Sequence, residues 1–290
     1  GMRGMNTGPS PLVALKLALW LGAAVAGTAL LSRRRVTPRV RLASLVVGTL
    51  LFGFVFGLLT PVGALDPNPV LSVRSLLRVI TGAGPAAGGG LGALGAVAVM
   101  LLGLLAVGWV SNKTFCGWAC PLGLLQDLFH RLPVPKWNPS LRLTNGVRVV
   151  AFGALVVGLA AAGLDWIQPI DPFQVFRLNL TAGVAVFGAL VLVVSAVVYR
   201  PWCRFLCPFG LLAWVVEQFS LLRPRIDRAA CRDCQACVKA CPTGAMAGIY
   251  AGERPRADCY ACGACLMACP RQGALGWRAT SRAREKEERR

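Results

Sequence analysis

Eight of the twelve cysteines fall into two groups with the same spacing near the carboxyl end of the chain. The groups read Cys231-x2-Cys234-x2-Cys237-x3-Cys241-Pro242 and Cys259-x2-Cys262-x2-Cys265-x3-Cys269-Pro270. This spacing holds two [4Fe-4S] clusters in bacterial ferredoxins, where the fourth cysteine of each group ligates the other cluster. The sequence therefore predicts one cluster on Cys231, Cys234, Cys237 and Cys269, and a second on Cys259, Cys262, Cys265 and Cys241. Zinc is the alternative metal for C-x2-C pairs, but it would leave the third cysteine and the x3-Cys-Pro without a role.

The other four cysteines form a second repeated motif, C-x3-C-P-x-G-L-L. The first copy contains Cys116 and Cys120, and the second contains Cys203 and Cys207. Thiols at positions i and i+4 share one face of a helix. Two facing pairs would offer four soft ligands for a third cluster or for a metal ion. A dithiol/disulfide relay and simple packing of buried cysteines are the alternatives.

The composition places most of the chain in a membrane. Of 290 residues, 56% are hydrophobic and 15% are charged, and the mean hydropathy is +0.60, which is too apolar for an ordinary soluble domain. Five apolar stretches approach the roughly 20 helical residues that a span needs. They run over about 12–31, 42–64, 91–110, 147–164 and 182–199. A signal peptide is the alternative for the first stretch, but no convincing cleavage site precedes Arg33-Arg34-Arg35.

The last four spans are arranged as two similar helix pairs. Asp66-Pro67 follows the second span and Asp171-Pro172 follows the fourth, so each pair has a D-P loop and then a C-x3-C-P motif. Parallel repeats of this kind predict a pseudo-two-fold axis along the membrane normal, which would bring the two C-x3-C-P motifs together. Asp66 and Asp171 are candidate proton acceptors for a quinol. Asp-Pro is also a common start of a short helix, and we favour that interpretation. Residues 69–80 predict an amphipathic helix on the outer face.

The charges predict an orientation and exclude some functions. Lys and Arg are frequent after spans one and three and sparse after spans two and four, which predicts an external amino terminus and a cytoplasmic ferredoxin domain. The net charge of +19 suits contact with anionic membrane lipid. No nucleic-acid recognition module accompanies it, so nucleic acid is not an expected partner. His130 is the sole histidine and lies outside the spans, so the sequence predicts no bis-histidine haem.

These observations predict a mainly α fold, a polytopic transmembrane helix bundle of about five spans with two repeated helix pairs. A carboxyl-terminal bacterial-type 2[4Fe-4S] ferredoxin domain of the α+β class follows the bundle. The predicted segments are 1–41 with the first span, 42–222 as the membrane domain, 223–276 as the ferredoxin domain and 277–290 as a charged tail.

Paired C-x3-C-P motifs followed by a two-cluster ferredoxin domain resemble the NapH/NosR/MauN-type polyferredoxin membrane proteins, over about residues 42–276. The CcoG-like cytochrome oxidase assembly proteins share the cluster motifs. The resemblance implies a quinol-oxidising component of the bacterial inner membrane, which passes electrons between the quinone pool and a redox protein or respiratory complex. The alternative function is a redox assembly factor that reduces a metal or a disulfide for a respiratory enzyme. The NapH type is usually drawn with four spans.

Overall fold

The computed structural model describes residues 11–59, 68–84, 90–271 and 273–279, and within these ranges the chain is mainly helical. In chain order the α-helices are α1 (Pro11–Ser32), α2 (Pro38–Gly48), α3 (Phe56–Leu59), α4 (Pro69–Ile80), α5 (Gly90–Ser111), α6 (Thr114–Trp118), α7 (Pro121–His130), α8 (Leu141–Ala162), α9 (Ala182–Val197), α10 (Pro201–Phe205), α11 (Pro208–Glu217), α12 (Ala236–Lys239), α13 (Ala245–Ala251) and α14 (Ala264–Ala268). A π-helical segment, Thr49–Val55, joins α2 to α3. Two 3-10 helices, Gln168–Ile170 and Pro172–Arg177, lie between α8 and α9.

Four helical segments in the described ranges are long and apolar enough to cross a membrane. They are Leu12–Ser32, Pro38–Leu59, Leu94–Ser111 and Leu141–Ala162. These segments confirm the predicted fold class, a mainly helical membrane domain. The fifth predicted span forms α9, whose 16 residues extend about 24 Å, less than the roughly 30 Å of a hydrocarbon core. The count of five spans therefore stays a prediction.

The two helix pairs have the same order of elements. Each pair ends with a long helix, α5 or α9, then a five-residue helix and then a ten-residue helix that begins with proline. The ten-residue helix α7 packs against α2 of its own pair and α9 of the other pair, whereas α11 packs against α8 of its own pair and α5 of the other. This reciprocal packing is what a two-fold axis between the pairs produces.

The ferredoxin segment is closed by a small sheet. Strands β1 (Leu222–Ile226) and β2 (Leu275–Ala279) pair antiparallel, with Pro224 opposite Trp277. Helices α12 to α14 lie between them in the chain. The end of α1 also packs here, because Arg34 donates hydrogen bonds to the carbonyl oxygens of Leu266, Cys269 and Arg271. The first helix is therefore attached to the ferredoxin segment as well as to the bundle.

Helix α4 has the predicted bounds but not the predicted position. Its amino terminus is capped by Asn68, whose Oδ1 accepts a hydrogen bond from the Leu71 amide at 2.7 Å. Val70, Val73 and Arg74 are buried, and the helix packs against α5, α8 and α11. The interpretation of residues 69–80 as a helix lying on the outer face is thus wrong, because its polar side is covered by the protein as well.

Several basic residues used for the predicted orientation are buried. Arg41, Arg74, Lys113 and Arg148 are almost fully inaccessible and each forms an ion pair inside the protein. Such charges cannot meet lipid head groups. The external amino terminus consequently rests on the remaining Lys and Arg residues and stays a prediction.

Candidate functional site

The two cysteines of each C-x3-C-P motif do not lie on one continuous helix. Cys116 belongs to α6, which ends at Trp118, while Cys120 directly precedes Pro121, the first residue of α7. Cys203 and Cys207 have the same relation to α10 and α11. Proline restricts the preceding residue to extended backbone, and Cys120 has φ −70° and ψ 112°. The expected shared helical face is therefore wrong, and each motif is a turn between two short helices.

The glycine of the C-P-x-G sequence packs on the first cysteine of its own motif. A Cβ atom at Gly123 would lie 2.7 Å from the Cys116 carbonyl oxygen, and one at Gly210 would lie 2.6 Å from the Cys203 carbonyl oxygen. Real Cβ atoms essentially never come this close to another atom. Both copies thus require glycine for the same close approach, which folds the ten-residue helix back onto the cysteine turn.

The structure brings the four cysteines of the two motifs into one buried region. Cys120, Cys203 and Cys207 belong to one apolar core, and the partly buried Cys116 packs against it. Burial raises the pKa of Cys120 to about 12, and the neighbouring Cys203 adds to the shift. Burial likewise raises the pKa of Cys116, Cys203 and Cys207. Without a bound cation these thiols are neutral at physiological pH, so they are poor nucleophiles for disulfide exchange.

A buried ion network lies on one side of the four cysteines. Asp127 of α7 contacts Arg41 at 2.5 Å and Arg200 at 3.2 Å, and the Tyr199 hydroxyl donates to the same carboxylate oxygen at 3.0 Å. Although burial opposes ionisation, Arg41 and Arg200 lower the pKa of Asp127 to about 2. This network ties the two helix pairs together, since Asp127 comes from the first and Arg200 from the second.

A second ion network joins the bundle to the ferredoxin segment. Asp258 forms ion pairs with Arg148, whose Nη2 lies 2.6 Å from Oδ2, and with Lys113. Lys113 also contacts Glu217 at 3.0 Å. Burial opposes ionisation of Asp258, but Arg148 and Lys113 hold the pKa of this carboxyl well below its usual range.

The buried charges around the cysteines do not cancel. Five buried cations lie beside three buried carboxyl groups, so positive charge is in excess. The cations are Arg41, Lys113, Arg148, Arg200 and Arg204, and the carboxyl groups are those of Asp127, Glu217 and Asp258. Burial raises the pKa of Glu217 to about 7, so this carboxyl group is only partly ionised at neutral pH. Of the five cations, Arg41, Arg200 and Arg204 each have a buried Nε without a hydrogen-bond partner among the residues that the structure describes. Buried charges are normally compensated, so the site is suited to an anionic group.

The second ferredoxin group of cysteines surrounds a cavity. Cys241, Cys259, Cys262 and Cys265 line it together with Tyr199 and Trp277. Burial raises the pKa of Cys237, and the neighbouring Cys269 adds to the shift, so Cys269 lies by the first group. Cys234 of that group is exposed. The crossed pairing of fourth cysteines is compatible with this arrangement.

The first C-x3-C-P turn contacts the second ferredoxin group directly. The Trp118 indole nitrogen donates to the Ala261 carbonyl oxygen at 2.9 Å, and the Cys259 amide donates to Glu217 Oε1 at 2.9 Å. At Gly117 the approach is so close that a Cβ atom would lie 2.1 Å from the Tyr260 carbonyl oxygen. The cysteines of the C-x3-C-P motifs and the buried ferredoxin cavity are therefore neighbours across a tight backbone contact.

Asp171, in the segment between α8 and α9, has a structural role. Its side chain caps the 3-10 helix by accepting a hydrogen bond from the Phe173 amide at 3.1 Å, which confirms the favoured capping interpretation. Asp171 also pairs with Arg74 at 3.1 Å, and Arg74 contacts Asp165 at 2.7 Å. Asp66, the corresponding residue of the first D-P loop, lies outside the described residues.

Replacing Arg74 by methionine should destabilise the bundle by about 3–5 kcal/mol, because Asp165 and Asp171 would be left buried without their cation. Chemical denaturation in detergent, followed by circular dichroism, measures the change. A triple variant that adds Asp165→Asn and Asp171→Asn should recover most of the loss, since no buried charge then remains. An Arg74→Met variant as stable as the wild type would show that the three charges do not stabilise each other.

Single metal ions have no evident site in the parts of the chain that the structure describes. No three His, Cys, Asp or Glu side chains come close enough together there to hold one ion. A [4Fe-4S] cluster differs, because its four thiolates bind four separate irons at the corners of a cube.

The polar residues that surround the cysteines were not predicted from the sequence. Lys113, Arg148 and Arg200 were interpreted as loop charges or left without a role, and Asp258 and Tyr260 were not singled out. A signal for some of them was present, because Lys113 and Arg200 lie three residues before a motif cysteine and Asp258 directly precedes Cys259. Their mutual contacts depend on the packing of distant segments and could not be deduced from spacing.

Two protein families match the chain by sequence. The family described as "4Fe-4S binding domain" matches twice, at residues 93–140 and 180–227, and each match contains one C-x3-C-P motif. The family described as "4Fe-4S dicluster domain" matches residues 223–270, which contain all eight ferredoxin cysteines. These segments are similar to 4Fe-4S binding domains, and the similarity supports iron-sulfur clusters as cofactors.

Some curated relatives carry ferredoxin-type names. The methylamine utilization ferredoxin-type protein MauN of Methylorubrum extorquens is 30% identical over 60% of this chain and 59% of its own length. The ferredoxin-type protein NapH of Escherichia coli is 30% identical over 51% of this chain and 52% of its own. The regulatory protein NosR of Pseudomonas aeruginosa is 28% identical over 46% of this chain and 20% of its own. The chain spans about half the length of the MauN and NapH relatives. No solved structure matches it.

Proposed function

Because this chain belongs to the NapH/NosR/MauN-type polyferredoxin membrane proteins, we propose that it carries electrons between the quinone pool and a redox partner. Iron-sulfur clusters supply the one-electron chemistry when bound. The residues of the chain position these centres, tune them and exclude water from them. The observation that carries the proposal is the backbone contact between Gly117 and Tyr260. It brings the four cysteines of the C-x3-C-P motifs, which we call the membrane-edge cysteines, next to the buried ferredoxin cavity.

Two clusters are proposed in the ferredoxin segment, with crossed ligands. Cys259, Cys262, Cys265 and Cys241 would hold the buried cluster, a set supported by their shared cavity. Cys231, Cys234, Cys237 and Cys269 would hold the other cluster, a set supported by the position of Cys269 near Cys237. The exposure of Cys234 leaves this second cluster accessible to a redox partner.

A third cluster is proposed at the membrane edge, on Cys116, Cys120, Cys203 and Cys207. The site has an excess of buried positive charge, and a [4Fe-4S] cube with four thiolates has a net charge of about −2 in its oxidised form. The unpaired Nε donors of Arg200 and Arg204 also suit an anionic group. A dithiol relay is less suited to the site, because all four thiols are buried and their pKa values are raised.

The three cysteine sites would form a series from the membrane edge to the solvent. The C-x3-C-P site is buried in the bundle, the Cys241-containing site lies against it, and the Cys234-containing site is exposed. We propose the bacterial inner membrane as the location, with the ferredoxin segment in the cytoplasm. Quinol would bind to the bundle, and Asp171 is unsuited to accept its proton because Arg74 and the Phe173 amide already engage this carboxylate.

Iron analysis with electron paramagnetic resonance tests the third centre. Anaerobically purified protein should contain about twelve irons per chain, and the Cys203→Ser variant about eight, since only the membrane-edge centre is lost. Cys234→Ser is the matched control, because it affects the exposed ferredoxin site and should leave the membrane-edge signal intact. About eight irons in the wild type would contradict the third centre while leaving the other two.

Quinol oxidation separates the two candidate functions. Reduced menaquinol added to the protein in lipid vesicles should bleach the cluster absorbance under anaerobic conditions, and an artificial acceptor should then sustain turnover. Bleaching without turnover would favour the redox assembly factor. No bleaching at all would remove quinol as the electron donor.

A further inference from the structure

Tyr260 occupies an unusual position between the two halves of the protein. In the sequence it lies between Cys259 and Cys262, two proposed ligands of the buried ferredoxin cluster. Its ring, however, belongs to the apolar core of the bundle, which also contains Cys120, Cys203 and Cys207. Among the described residues of 223–276, Tyr260 is the one that enters this core. It therefore connects the ferredoxin cavity with the C-x3-C-P site.

The ring of Tyr260 is held from several sides. The Arg200 guanidinium lies 4.9 Å from the ring centroid and the Lys113 ammonium lies 5.0 Å from it. The Tyr199 ring meets it edge to face at a centroid distance of 6.0 Å. On the backbone side, the Tyr260 carbonyl oxygen is in contact with Gly117. These contacts hold the ring in the core of the bundle.

The hydroxyl of Tyr260 lacks a protein partner. The residue is only 2% exposed, and Oη has no hydrogen-bond partner among the residues that the structure describes. The phenol is an O–H donor buried in the same core as Cys120, Cys203 and Cys207. A buried tyrosine hydroxyl normally finds a partner.

We propose that the Tyr260 hydroxyl donates a hydrogen bond to the iron-sulfur group held by Cys116, Cys120, Cys203 and Cys207, and so acts as a positioning residue that raises the reduction potential of this group. The inference rests on the third cluster of the proposed function. Hydrogen bonds to the sulfur atoms of a cluster stabilise its more negative, reduced form, and they are one of the features that set its potential. Because Tyr260 directly follows Cys259, its contacts in the bundle also hold the buried ferredoxin site next to the C-x3-C-P site.

The test compares Tyr260→Phe with the wild type in anaerobic protein that has first been analysed for iron. Tyr260→Phe should retain about twelve irons per chain, and the membrane-edge cluster should become reducible only at a lower potential in a redox titration followed by electron paramagnetic resonance. Pulsed measurements in H2O and D2O should show an exchangeable proton coupled to this cluster in the wild type and its absence in the variant. The potentials of the two ferredoxin clusters should not change.

Tyr250→Phe is the matched control. Its hydroxyl already donates to Asp233 at 2.7 Å, and its ring lies beside Arg228 near the exposed ferredoxin site. The control should leave the membrane-edge signal unchanged. About twelve irons with an unaltered potential and an unaltered proton coupling in Tyr260→Phe would overturn the inference but leave the proposed function intact. About eight irons in the wild type would overturn the third cluster and the inference together.

Discussion

Asp258→Asn is expected to destabilise the attachment of the ferredoxin segment to the bundle by about 3–5 kcal/mol. The asparagine keeps the shape of the side chain but removes its charge. Arg148 would then be a buried cation without an anion, and Lys113 would retain only Glu217. Because the pKa of Asp258 lies below its usual range, the contribution of its own charge is fully present above about pH 5 and is lost as the pH falls below that value.

Anaerobic denaturation in detergent, followed by loss of the cluster absorbance, measures this effect. Asp233→Asn provides a matched control, since Asp233 also directly precedes a ferredoxin cysteine but its side chain is 70% exposed. The control should unfold at the wild-type denaturant concentration. Equal midpoints for Asp258→Asn and Asp233→Asn would mean that the buried network does not hold the two parts together.

The chemistry of the chain could be predicted where ligand spacing is local. The positions from Cys231 to Cys241 specify a cluster loop, because a few residues between thiolates decide whether they can reach one cube. The same holds for Pro121 and Pro208, which fix the start of α7 and α11. The family match and the helical membrane domain follow from such local patterns.

Predictions failed where tertiary packing decides the outcome. Helix α4 has the periodicity of a surface helix, yet Arg74 is covered because Asp165 and Asp171, more than ninety residues away in the chain, supply its partners. The i, i+4 pairing of Cys116 with Cys120 was interpreted as one helical face, although the following proline already interrupts the helix there. The position of Tyr260 could not be predicted either, because no feature of the neighbouring sequence shows that a tyrosine of the ferredoxin segment packs in the core of the bundle.

Gly117→Ala should separate the membrane-edge cysteines from the ferredoxin segment. The added Cβ atom would lie 2.1 Å from the Tyr260 carbonyl oxygen. The backbone fixes the position of this Cβ atom, and the oxygen belongs to the backbone, so no change of rotamer can relieve the clash. We expect a loss of about 1–3 kcal/mol, as in overpacked cores. Electron transfer slows as two redox centres move apart, so reduction of the ferredoxin clusters by quinol should be slower in the variant than in the wild type.

Hydrogen exchange gives a readout that does not depend on the electron donor. The Cys259 amide, which donates to Glu217 Oε1, should lose its protection when the contact opens. Gly103→Ala in α5 is the matched control, because a Cβ atom there meets nothing within 4 Å and alanine favours the helix. Unchanged protection at residues 259–261 in Gly117→Ala would show that the ferredoxin loop accommodates the methyl group. Electron transfer from the bundle to the ferredoxin segment would then not depend on this backbone contact.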